Sequence, residues 1–515
     1  MLRAADIFAS GMMLQREKPI HIWGTAQRGE QIGVTIQGRQ KTTIADDNGN
    51  WSIQLDNLHA SGQETLTIQG ADEVLVFEEI AVGDLYIAAG QSNMEFWMRY
   101  EPHYKKEREK CDNPGIRFYD VPKLAYVGQE EDFDYSRMGI WRKASKEELQ
   151  FFSAVGYYFA RQLEKELSVP IGIIGCNWGG TRSGAWMTKE HAEIVEPEQV
   201  EAFRKSLRGQ SYEDFCKKAG KNPANDSGKS SWDAFTEFIL PRTPSQEEID
   251  AFYGKEEGEK GSEDQEEAQP QAAPGCLYQN MVLRIAPFSV RGVLWYQGES
   301  DDEEEGAAVR YKEALDTIMD DWRSAFLDEK LPFFIVQLPG FRSWLGVENR
   351  NYSIIRQKQQ EATDADEHAY LCSISDVGEE FDIHPKNKKI VGIRLALLAL
   401  KYLYDKDVPA DPPRFRNAEK TGNLIYLTFD HVGEGLTVDG EKIEALQILA
   451  DGQEIAYTWN VSGEGIRIEL EEEYKESVID VRFAKEAWYQ VNLYNQACLP
   501  AVPFEVVCEN VISRI

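Results

Sequence analysis

Gly83-Asp84-Leu85-Tyr86-Ile87-Ala88-Ala89-Gly90-Gln91-Ser92-Asn93-Met94-Glu95 is the stretch from which the fold reads outward. Its apolar run up to Ala89 is the signature of a strand buried on both faces, as in parallel sheets. The small pair Ala89-Gly90 permits a sharp turn, and Ser92 then stands just past the strand's carboxyl end, where open α/β sheets carry their chemistry. A serine on such a strand-to-helix turn exposes its hydroxyl and leaves the following backbone N–H groups available to an anion, the mechanical logic of a nucleophile elbow. The spelling is not Gly-x-Ser-x-Gly, however, and an ordinary turn serine is the plain alternative.

Upstream, short alternating runs at Ile20–Gly24, Gln31–Ile36 and Asp46–Ile53 predict a small antiparallel sandwich over residues 1–79. Downstream the units lengthen. Tyr100–Cys111 reads as a charged loop, Ile116–Tyr119 as a strand, and Ser145-x-x-Glu148 as the capping box of a helix with one apolar face from Phe151 to Leu167. Pro170–Gly175 follows as a buried strand, so strand, helix and strand imply a parallel sheet with a right-handed crossover. Residues 188–275 turn polar and acidic, most of all over Glu247–Glu267, and read as a helical insertion with a solvated charge run. The sheet resumes at Val290–Tyr296, Pro332–Leu338 and Ala369–Ile374, with helices over Tyr311–Phe326, Ile354–Glu361 and Lys388–Tyr404 between and after them. Pro409, Pro412 and Pro413 mark a linker, and alternation returns at Leu424–Phe429, Ile466–Leu470 and Val478–Phe483. The division is therefore a β module at 1–79, an α/β domain at 80–406 and a second β module at 407–515.

At 515 residues the chain exceeds one ordinary core. With Lys+Arg 56 against Asp+Glu 88 the net charge is −32, which argues against nucleic acid and anionic membrane surfaces as partners. No window has the run of about 18 apolar residues of a membrane span, and Met-Leu-Arg-Ala-Ala-Asp does not read as an export leader. The expectation is a cytoplasmic protein, or a periplasmic or secreted one if a leader has been removed. The seven cysteines are scattered without a C-x-x-C pair, which reads as free thiols and suggests neither zinc nor a disulfide framework.

Histidine is scarce enough for elimination. His21 and His59 fall in the first β module, His431 in the last, His103 and His191 in loops, and His368 before a strand. His384 alone lies beyond a late strand with a carboxylate at i−2. Residues i and i+2 of an extended backbone point the same way, so Asp382 can hold Nδ1–H and leave Nε2 to take a proton from Ser92. A His-Pro turn capping the next helix is the bland alternative. Acyl transfer also needs oxyanion donors, which Gly179-Gly180-Thr181 and Gln297 can offer at their own strand ends. Either is also readable as a turn or a loop start. Trp178, Trp186 and Trp295 beside these motifs can stack on a sugar ring or fill the core.

Gly90-Gln91-Ser92-Asn93-Met94, Gly179-Gly180-Thr181, Trp295-Tyr296-Gln297-Gly298-Glu299-Ser300 and Asp382-Ile383-His384-Pro385 together resemble the sialate O-acetylesterase family of SGNH-type carbohydrate esterases. Met13-Leu14-Gln15-Arg16, Ile22-Trp23-Gly24 and Cys276–Met281 look like that family too, so the likeness covers nearly the whole chain. It implies a flavodoxin-like three-layer α/β/α hydrolase core with Ser92 as nucleophile, His384 as general base and an oxyanion hole from the Ser92 N–H, the Gly180 N–H and Gln297. In the wider group the third donor is asparagine, and the acid stands three residues before the histidine, where this chain has Phe381. Asp382 is therefore the first choice of acid, with Asp376 and Glu299 as rivals. Gln91, Asn93, Arg182, Glu299 and Trp186 are the candidate substrate contacts, and Arg182 and Arg99 are the cations a carboxylate-bearing sugar would want. The expected reaction is removal of acetyl from sialate, without metal or cofactor. Acetylated xylan or mannan is the alternative substrate, a non-catalytic carbohydrate-binding protein the competing class, and a lipase or thioesterase a third reading.

Overall fold

The computed structural model describes residues 1–129, 137–219 and 269–510, with Leu240, Arg242 and Glu248 in addition. The chain separates into two compact units: Met1–Ser300 with Glu313–Phe333 and Lys386–Ala396, and Asp301–Lys312 with Phe334–Pro385 and Leu397–Ile515. It is a mixed α/β protein with large sheets.

The first unit is built on one 17-residue strand. β1 (Met13–Gln15) lies parallel to the middle of β2 (Val74–Gly90), pairing at Ala81–Gly83. Before that point β2 is half exposed and pairs antiparallel with Ser61–Gln69, part of the amino-terminal β region. From Ile80 onward every residue is buried, because the same strand has entered the α/β sheet. There the order is β4 (Trp141–Ala144), β3 (Asn113–Asp120), β5 (Ile171–Asn177), β2, β6 (Gly292–Tyr296). β3, β5, β2 and β6 run parallel, and β4 is antiparallel to β3. The Met13–Arg16 motif anchors the root of β2: Arg16 forks onto the fully buried Asp84 carboxylate at 3.0 and 2.9 Å, and Gln15 donates to the same group at 2.9 Å.

Helices cover both faces of this sheet, and the register shows which. Tyr86 meets Phe159 of α2 (Ala154–Leu167) edge to face at 4.7 Å. Trp295 of β6 sits beside Ala89 in register, hence on the opposite face from Tyr86, and packs on Trp322 of α3 (Glu305–Ala325) at 6.1 Å. The Ser145 capping box does not open α2. Ser145 instead closes a turn into the 3-10 segment Leu149–Phe151, Phe152 is extended, and the helix is capped by Ser153, whose hydroxyl accepts the Gly156 N–H. The loop expected at Tyr100–Cys111 contains a short helix, Tyr104–Arg108. The segment from 188 begins with helices Lys189–Val195, Pro197–Ser206 and Tyr212–Ala219, while the acidic run Glu247–Glu267 lies, apart from Glu248, outside the described residues.

In the second unit, β7 (Phe333–Val336) neighbours β8 (Ala369–Cys372), with Gln337 N–H donating to the Cys372 carbonyl. α4 (Tyr352–Ala365) precedes β8, and α5 (Lys388–Tyr404), which follows the His384 loop, belongs to the first unit as far as Ala396 and to the second from Leu397. Two four-stranded antiparallel sheets follow, one holding Leu424–Asp430 and the other Ile479–Phe483. Ile425, Leu427 and Phe429 from the first and Val481, Phe483 and Phe504 from the second share one hydrophobic cluster. No helix among the described residues is long and apolar enough to cross a membrane.

Candidate active site

Gly90 is paired with Asn177 on one side and Tyr296 on the other, so three adjacent parallel strands end at one level. The segments that follow them carry Ser92, Gly179-Gly180 and Gln297. The chain leaves β2 at Gly90 with φ +125°, and a Cβ there would lie 2.1 Å from the Tyr296 carbonyl oxygen, so only glycine fits. Gln91 then caps a one-turn helix, α1 (Ser92–Glu95), whose first residue is partly exposed Ser92. Gly179 presses against it: a Cβ on Gly179 would sit 3.2 Å from Ser92 Cβ. Gly180 is exposed, in the left-handed region at φ +71°.

Behind the serine the quoted motifs interlock. The Gln91 side-chain oxygen accepts the Gly298 and Ser300 N–H groups at 3.4 and 3.3 Å, and its amide donates to Ser300 Oγ at 3.2 Å. Gln297, fully buried, donates through Nε2 to Gln91 Oε1 at 3.2 Å and to the Thr181 carbonyl at 3.0 Å. Both amide hydrogens of Gln297 thus have acceptors within the protein, which makes the residue a brace across the three motifs. Asn93 is buried too, taking a hydrogen bond from Lys388 and giving one to Glu299. Lys388, wholly buried, lies 4.9 Å over the Phe96 ring and 5.3 Å over Tyr296.

The polar atoms of several expected substrate contacts are engaged within the protein. Gln91, Asn93 and Glu299 are at most 5% exposed and spend their polar atoms on one another's motifs. Trp186 is 0% exposed, donates to Thr181 Oγ1 at 3.0 Å and stands edge to face with Trp295, so it is core. Arg182 remains partly exposed. Arg99 lies 4.7 Å from both the Trp97 and Tyr100 rings and donates to Tyr100 Oη.

In the second unit, Asp382 and His384 form a buried pair. Asp382 Oδ1 accepts the His384 backbone N–H at 2.8 Å and stands 3.7 Å from Nδ1, while the ring packs edge to face on Trp344 at 4.9 Å. Phe381, where the wider group carries its acid, is 54% exposed. Of the rival acids, Glu299 is bound to Asn93, and Asp376 adds its charge to the burial that lifts the Tyr489 hydroxyl pKa. Sequence reasoning missed Glu95, whose Oε2 accepts the Gly179 N–H at 2.9 Å and whose Oε1 pairs with Lys123. Its position inside the serine motif was the available signal. Lys388, four residues after His384, gave none, since a lysine at a helix start reads as solvent-facing.

Residues 260–399 match the family model described as carbohydrate esterase, sialic acid-specific acetylesterase. The sialate O-acetylesterase of Mus musculus is 23% identical over 472 residues, covering 83% of this chain and 79% of the relative. The Homo sapiens sialate O-acetylesterase is 23% identical over 467 residues, covering 83% and 76%. Among solved structures, a carbohydrate acetylesterase from Xanthomonas citri superposes with a TM-score of 0.75 at 26% identity, covering 98% of this chain and 99% of that one.

Proposed function

We propose, from the premise that this chain belongs to the sialic acid-specific acetylesterase family of carbohydrate esterases, that it removes O-acetyl groups from sugars by a Ser-His-Asp mechanism. The observation that carries the reading is the convergence of Ser92, Gly179-Gly180 and Gln297 beyond three strands that end in register. Such an edge supplies a nucleophile and backbone donors together, as ester hydrolysis requires.

In this mechanism His384 Nε2 takes the Ser92 proton and Oγ attacks the acetyl carbonyl. Ser92 N–H and Gly180 N–H hold the oxyanion. The imidazolium, steadied by Asp382, protonates the departing sugar oxygen, and water activated by His384 then releases acetate. Asp382 is the preferred acid because it lies beside His384 in the fold as well as in sequence. Gln297 joins as a third donor only by giving up Thr181 or Gln91, so its main part is to hold those groups still. The reading includes the three-layer SGNH core, which helices on opposite faces of the sheet support, and a sandwich at each end.

The substrate we propose is O-acetylated sialate, whose carboxylate the partly exposed Arg182 would meet. Neutral acetylated xylan or mannan is the second reading, favoured by the net charge of −32. Acetate release measured side by side on acetylated sialic acid, xylan and mannan decides between them. The sialate reading predicts preference for the acidic sugar and, in Arg182→Ala, a KM raised about tenfold or more for it alone. Equal losses on all three substrates would remove Arg182 from recognition, and preference for a neutral polymer would overturn the substrate.

A further inference from the structure

We propose that Glu95 is a positioning residue of the esterase site, the strut that fixes the Gly179-Gly180 loop against the Ser92 turn; this rests on the acetylesterase reading above. Glu95 closes α1, one turn after Ser92, and its own N–H is tied to the Gln91 carbonyl at 3.0 Å. One carboxylate oxygen accepts the Gly179 N–H at 2.9 Å. The other pairs with Lys123, only 5% exposed, on the segment following β3. The carboxylate is thus gripped from behind by a buried cation while it grips the loop in front. The loop needs such a grip. The Gly180–Thr181 peptide is held on its far side through Thr181, whose carbonyl accepts from Gln297 and whose hydroxyl donates to the Trp178 carbonyl, while Gly180 itself is exposed at a positive φ, so Glu95 supplies the hold on the near side, at the Gly179 N–H. Oxyanion donors accelerate acyl transfer only when they are fixed before charge develops, so a slack Gly180 would lower turnover without loosening ground-state binding.

The experiment compares wild type with Glu95→Gln, Glu95→Ala and the double variant Glu95→Ala/Lys123→Met, the last removing both members of the ion pair together. Active sites are counted by labelling Ser92 with a fluorophosphonate, so kcat refers to folded, competent enzyme. Affinity for a methylboronate, a tetrahedral mimic, is measured beside KM for a small acetyl ester. The expectation is a kcat about 10- to 100-fold lower in both Ala variants, boronate affinity falling in parallel, KM within about twofold, and substantial recovery in Glu95→Gln, whose side-chain oxygen still accepts the Gly179 N–H. Unchanged kcat per labelled site in the Ala variants overturns the positioning role alone. So does a fall in KM and thermal stability with boronate affinity unmoved. A folded wild type that neither labels nor releases acetate overturns this inference and the acetylesterase reading together.

Discussion

At Gly90 the backbone is left-handed and a methyl group would collide with the Tyr296 carbonyl, so two independent penalties fall on one substitution. Gly90→Ala should cost at least about 2 kcal/mol in stability, from backbone strain and overpacking together. A urea midpoint equal to that of wild type would contradict that packing. The need for glycine here was legible, since the Ala89-Gly90 pair after an apolar run announces a turn. The destinations of its neighbours were not. Asn93 and Glu299 belong to recognisable motifs, and polar residues in such motifs read as ligand contacts. In the fold they are bound to each other, with buried Lys388 behind them. A buried polar network is invisible to local pattern because its partners lie some 200 to 300 residues apart in sequence.

At the scale of elements, strongly periodic or unbroken runs read best. The helix expected at Lys388–Tyr404 has those bounds, and Tyr311–Phe326 is the greater part of Glu305–Ala325. Boundaries set by remote groups did not read at all. α4 was expected from Ile354 but begins at Tyr352, because Asp302, 49 residues upstream of Asn351, accepts the Arg350 N–H at 3.0 Å and the Asn351 N–H just before it. Asp302→Ala should therefore cost about 1 to 3 kcal/mol by taking a charged acceptor from the Arg350 and Asn351 N–H groups. The cost has a pH dependence whose sign follows from the pKa. Burial lifts the Asp302 carboxyl above its ordinary range, partly offset by those N–H bonds, so the folded chain holds this proton more tightly than the unfolded chain. Stability from this group is complete below the unfolded pKa and declines as pH rises through the folded one. The gap between wild type and Asp302→Ala, read by denaturant titration, should thus be widest at acid pH. A gap that widens on going alkaline would contradict the assignment.

Over the whole molecule, the sequence reading cut the chain where its pattern changed, near residue 80, and the physical strand runs straight through that point. β2 serves the amino-terminal β region with one half and the α/β sheet with the other, and Asp84 at the join is held by Gln15 and Arg16. A shift from alternating to continuous burial marks a change of surroundings, and it need not mark a break in the chain. The same long strand delivers Ser92, while Asp382 and His384 lie almost 300 residues further on, so the central claim concerns two groups acting on one ester. Its most direct measurement is mass spectrometry of the protein quenched during turnover of an acetyl ester, in wild type and in His384→Ala and Ser92→Ala. The account predicts an acetyl group on the peptide containing Ser92 in wild type, none in Ser92→Ala, and a loss of turnover in either variant of about 10⁴-fold or more. Wild-type turnover in Ser92→Ala, or acetyl found on another residue, would contradict it.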